Sequence, residues 1–166
     1  MILGMSVATF TLVHVIVSLI GIASGLVVLF GMFGSRRLPG ETALFLLSTV
    51  LTSATGFMLP SAGLTPARLF GIISLVALAA AMLALYGRRL SGAWRWIYVA
   101  GAVLALYLNI FVLIVQAFLK IPLLHPLAPT GSEPPFLVAE GVLLAIFLAS
   151  GVIALKRFHP ERRAAA

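Results

Sequence analysis

A chain of 166 residues that is 62% hydrophobic and only 9% charged departs from soluble domains, in which about a quarter of residues are charged. Cysteine is absent, which excludes disulfides, thiolate catalysis and Cys-ligated metal or iron–sulfur centres. The formal net charge of +7 invites a nucleic-acid reading, but the basic residues stand in short clusters between apolar blocks, so no nucleic-acid partner is expected.

Five apolar blocks follow one another, at 8–33, 42–59, 67–86, 94–118 and 136–155. Each is long enough to cross a hydrocarbon layer, for which about 18 apolar residues or more suffice. Lipid offers no hydrogen-bond partner to exposed backbone, so each block is expected to be helical; a barrel would show shorter segments of alternating polarity. The expectation is an all-α integral membrane bundle of five transmembrane helices, one domain over 1–166, with the lipid bilayer as its first partner. Pro60, Pro66 and Pro135 fall at block ends, where a missing N–H does little harm. The N-terminus has neither a basic region nor a cleavage-site pattern, so the first block is expected to be a span and not a removed signal peptide. Trp94, Trp96 and Tyr98 mark an interfacial entry of the fourth span.

The basic residues then orient the chain. Arg36 and Arg37 fall in the first connection, Arg88, Arg89 and Arg95 around the third, and Lys156, Arg157, Arg162 and Arg163 after the last span. The second and fourth connections hold only Arg68 and Lys120, so nine of the eleven basic residues lie on one side. Such a bias places the N-terminus outside and the C-terminus in the cytoplasm.

Polar residues within the spans are the candidates for function. On a helical wheel His14, Ser18, Gly21 and Gly25 share a stripe, and Gly21 with Gly25 forms a GxxxG pattern suited to close helix packing. Ser48, Thr52 and Thr55 share a face of the second span, with Thr49, Ser53 and Gly56 beside them; such hydroxyls can bond back to the preceding turn. Ser74 with Ala77, Ala81 and Ala84 gives the third span a smooth packing surface. Asn109, Gln116 and Lys120 line up on the fourth span. Glu140 shares a stripe with Leu144, Phe147 and Gly151 on the fifth. With the N-terminus outside, the strongly polar groups gather in the outer half of the bundle. An intramembrane ionisable residue is costly unless paired, so Glu140 is the most telling, with Lys120 or His14 as its expected partner. The candidate ligand-binding set is His14, Thr52, Thr55, Asn109, Gln116, Lys120 and Glu140, against the alternative that these groups tie helices together.

The connection between Phe118 and Phe136 carries five prolines, Pro122, Pro126, Pro129, Pro134 and Pro135, among Leu and Ile residues. Proline this dense is expected to prevent helix and strand. The apolar residues place the segment on the bundle or the membrane surface, as a connector or as a lid over the polar groups. No cofactor is expected: a bis-histidine haem would need a second buried His beside His14, whereas His125 is in this connection and His159 in the tail. No metal site is expected either, since no HExxH or comparable spacing occurs. A P-loop and a nucleophile with an evident base are also missing.

The segments running from Leu51 to Pro60 (LTSATGFMLP), from Gly92 to Tyr98 (GAWRWIY) and from Leu127 to Phe136 (LAPTGSEPPF) resemble a group of small multi-span bacterial inner-membrane proteins. That resemblance implies a bacterial cytoplasmic membrane location and carries no activity. The tryptophan-rich translocators share the span count, but their tryptophan- and proline-rich signature is not present, so no porphyrin or sterol site is carried over. The leading expectation is a non-enzymatic protein whose outward-facing polar pocket binds or transports a small ligand, ion or proton. A structural or assembly subunit, with a membrane-protein partner or a second copy of the chain, is the alternative from another class. A third is a membrane enzyme acting on a lipid or quinone, with Glu140 and His14 as acid and base.

Overall fold

Helix boundaries follow from local chemistry as much as from apolar content. In the computed structural model, which describes residues 1–60, 63 and 65–160, five long helices form. Helix α1, Val7–Phe33, starts where the Ser6 hydroxyl accepts the Thr9 N–H at 3.1 Å, and Gly34 ends it. Helix α2, Pro39–Met58, begins three residues before its apolar block, because Pro39 suits a first helical turn and Glu41 complements its positive end. Helix α3, Pro66–Met82, is capped by Thr65 and continues into a π-helical turn, Leu83–Gly87. Helices α4, Trp94–Lys120, and α5, Pro134–Arg157, are each slightly longer than their apolar blocks. Arg162 and Arg163, counted above in the tail, lie outside the described residues.

The proline-rich connection departs from expectation. It contains a 3₁₀ turn, His125–Leu127, with Pro126 in its first turn. A proline there has no N–H to lose, so density alone does not exclude a short helical turn.

The helices pack up and down, and α4 is the central one, touching each of the other four. At the α1–α2–α4 crossing, a Cβ added to Gly25 would lie 2.7 Å from Leu106 and 2.8 Å from Phe45. One added to Gly101 would lie 2.7 Å from the Ala77 carbonyl oxygen of α3. Glycine at these positions lets the backbones approach as small residues do in membrane bundles. Along the α4–α5 seam Phe118 meets Phe136 edge to face at 5.6 Å, and Tyr107 meets Phe147 at 5.8 Å. Arg95 closes this seam at its far end, donating to the Leu155 and Phe158 carbonyls at 3.0 and 2.8 Å. Those are orphan acceptors at the end of α5.

The outward surface is as apolar as the interior, with Leu12, Phe30, Val76, Val138 and Leu148 all well exposed. In water such a surface would aggregate; in lipid it is solvated. All five helices are long and apolar enough to cross a membrane.

Candidate functional site

The polar residues sort into two groups on different seams. The first lies between α1, α2 and α4. His14 Nδ1 is 2.8 Å from Thr55 Oγ1, and that hydroxyl lies 2.6 Å from the Leu51 carbonyl, to which it donates. With its only hydrogen used, Thr55 accepts from His14, so Nδ1 carries the ring hydrogen. Deeper, the Asn109 amide donates to Thr49 Oγ1 at 3.4 Å, across Gly21. A Cβ on Gly21 would come within 3.1 Å of both Ser48 Oγ and Thr49 Oγ1. Ser18 and Ser48 return their hydroxyl hydrogens to carbonyls of the preceding turn. This group is a polar ladder that fastens α1, α2 and α4.

The second group is Glu140 on α5. Its side chain is 8% exposed, and neither carboxylate oxygen has a hydrogen-bond partner among the described residues. Phe136 and Phe147 flank it, each stacked on α4. In that antiparallel register, the position two turns before Phe147 faces the one two turns past Tyr107, which is Ile114. The carboxyl therefore looks into an apolar part of the seam, with Tyr107 close enough to interact electrostatically. Glu140 lies about 9 Å along α5 and His14 about 10 Å along α1, by the helical rise of about 1.5 Å per residue. They share a depth but not a seam.

The expected pairing of Glu140 with Lys120 or His14 does not form. Lys120 is exposed at the end of α4, close enough to His14 to act on it electrostatically, while His14 spends its Nδ1–H on Thr55. Gln116 is half-buried, and Thr52 Oγ1 is buried without a hydrogen-bond partner among the described residues. The stripe carrying Glu140 is also shifted: Leu144 is 44% exposed, whereas Leu143 packs against the core beside Phe147. No group of three or more His, Asp or Glu gathers among the described residues.

The proline-rich connection ends in a tight turn at the start of α5. The Thr130 hydroxyl and N–H donate to Glu133 Oε1 at 2.8 and 3.0 Å, and the Ser132 N–H donates to Oε2 at 3.0 Å. Gly131, at φ +72°, allows the bend. Desolvation acts to raise the Glu133 carboxyl, but these hydrogen bonds outweigh it and hold the group at about 2. Ala128 anchors the connection in the bundle, while Ile121, Leu123 and Leu127 turn outward.

One feature at the other end escaped the sequence reading. A cavity of about 260 Å³ opens there, with Arg36 and Arg37 at its edge. Those arginines read only as a topology signal, since a cavity assembled from five helices has no signature in one stretch of sequence.

A helical fold with five candidate spans and an apolar outer surface is that of a helical bundle compatible with a membrane. No family model, curated protein or solved structure matches the chain.

Proposed function

We propose that the chain is a multi-pass protein of the bacterial cytoplasmic membrane, N-terminus outside, that binds a proton at Glu140 from its outer side and exchanges it for a small cation. One observation carries this reading: the carboxyl is buried and has no hydrogen-bond partner among the described residues. An isolated carboxylate in such surroundings costs many kcal/mol, so the group must hold a proton or a counter-ion. The orientation rests on the nine-to-two bias of basic residues. His14 and Asn109 serve as interhelical ties, and Lys120 biases the charge at the outer end. Acid–base catalysis by Glu140 and His14 has less support, because the two share no hydrogen bond and His14 is held by Thr55.

An assembly role is the second reading. Only 17% of the membrane-crossing part of α5 is buried, against 33% for α1 and α4, so α5 is the helix most available to a partner.

The test is proton release. Purified protein in weakly buffered detergent is mixed with sodium, potassium or tetramethylammonium chloride, with a pH indicator as readout. Wild type should release up to one proton per chain with at least one of these cations, and Glu140→Gln none, with helix content unchanged. Equal release from both proteins would overturn the reading, as would no release from wild type.

A further inference from the structure

The cavity at the basic end is independent of Glu140, which lies toward the opposite end of the bundle. Its floor is apolar and buried, formed by Val28 and Met32 of α1 and by Phe158 just after α5. Its wall carries two hydroxyls, those of Thr42 on α2 and Tyr98 on α4. The rim holds the exposed Arg36, Arg37 and Tyr86, the last on the π-helical turn that ends α3.

Two neighbouring basic residues are already engaged. Arg95 caps α5, and Arg88 stacks on Trp94 at 5.1 Å. The guanidinium groups of Arg36 and Arg37, by contrast, make no hydrogen bond or ion pair among the described residues, and Glu41 is the one acidic side chain described at this end. Two unengaged guanidiniums beside hydroxyl donors suit a phosphate, which takes charged, forked hydrogen bonds. The apolar floor directly beneath them suits carbon, not water. At about 260 Å³, the space lies just under the range of about 300–1,000 Å³ for drug-sized ligands. It admits a phosphate group and the first carbons attached to it, but not a whole lipid.

We infer that this cavity binds a phosphate ester with an apolar tail, the phosphate held by Arg36 and Arg37 and the first carbons resting on Met32, Val28 and Phe158. A membrane lipid with an exposed phosphate and a soluble phosphate ester share this chemistry. Basic pockets between spans are known sites for anionic headgroups.

Native mass spectrometry of the full chain in detergent tests the proposal. The probes are dioleoylphosphatidic acid, dioleoylphosphatidylcholine, glycerol 3-phosphate and inorganic phosphate. Phosphatidic acid should bind one per chain and more tightly than phosphatidylcholine. The double variant Arg36→Gln with Arg37→Gln should lose roughly tenfold more affinity than Arg88→Gln with Arg89→Gln, which removes the same charge from the same end. Tyr98→Phe, which leaves the fold and the charge intact, should also weaken binding. Competition by glycerol 3-phosphate at similar concentration would assign the site to a soluble ester; failure to compete would assign it to a lipid. Equal losses in the two double variants, or equal binding of both lipids, would overturn the proposal.

Discussion

Gly101→Ala should destabilise the bundle although it adds a single methyl. The new Cβ would stand 2.7 Å from the Ala77 carbonyl oxygen and 3.1 Å from the Ala81 Cβ. Ordinary carbon–oxygen contacts between helices are about 3.3–3.6 Å, so α3 and α4 would have to part by about 0.6 Å. The obstacle is backbone and cannot rotate away. A gap of that size forfeits about a quarter of the dispersion attraction of each contact along the seam, and overpacking of this kind costs about 1–3 kcal/mol. The usual helix-propensity gain of about 1 kcal/mol for Gly to Ala offers little relief, since chains unfolded in detergent keep much of their helix. The assay is reversible unfolding by sodium dodecyl sulfate in mixed micelles, followed by the fluorescence of Trp94 and Trp96 on α4. Gly141→Ala on α5 is the control, because nothing lies within 4 Å of its added Cβ; it should fall within about 0.5 kcal/mol of wild type. A Gly101→Ala protein that unfolds at the same detergent fraction as the control would refute the close approach of α3 and α4.

Three further outcomes follow from the geometry. Thr55→Val removes the partner of His14 and should cost about 0.6 kcal/mol, the mean for interhelical hydrogen bonds in a bilayer, in the same unfolding assay; a loss of several kcal/mol would mean the pair does more than fasten helices. Glu133 has its folded-state carboxyl depressed to about 2 from an ordinary 4.5. Its contribution to the turn is therefore complete above the ordinary value and lost as pH falls toward 2. The Thr130 and Ser132 amide resonances should hold steady to about pH 4 and move below it, whereas a midpoint at the ordinary value would contradict the turn. For orientation, Thr130→Cys should react with a membrane-impermeant maleimide from outside intact cells and Arg37→Cys only after lysis; the reverse pattern would invert the topology.

The helices were legible because bilayer spans declare themselves by length and apolar content, and the charge bias came with them. Their ends were less so. Hydropathy alone does not see Pro39–Glu41 as helix, and it reads the prolines around His125 as a bar to any helical turn. Gly21 and Gly25 lie where α1 approaches α2 and α4, and a smooth face of small residues is visible in sequence even when its partner is not. What a wheel could not supply was which seam each face enters. His14 and Glu140 share a depth, yet α1 turns its histidine to α2 while α5 turns its carboxyl to α4. Leu143 and Leu144 differ by one position, about 100° on the wheel, and only packing chooses between them. The cavity at Arg36 and Arg37 draws its lining from α1, α2, the π-helical turn, α4 and Phe158, which only the folded chain brings together.

Dicyclohexylcarbodiimide, an apolar reagent that modifies protonated carboxyl groups shielded from water, reads the state of Glu140 without an added mutation. One adduct per chain is expected, located at Glu140 by peptide mass spectrometry, with a slower reaction when a cation that releases the proton is present. Labelling that spares Glu140, or that proceeds at Glu140 at the same rate with every cation tried, would contradict proton binding and exchange at this carboxyl.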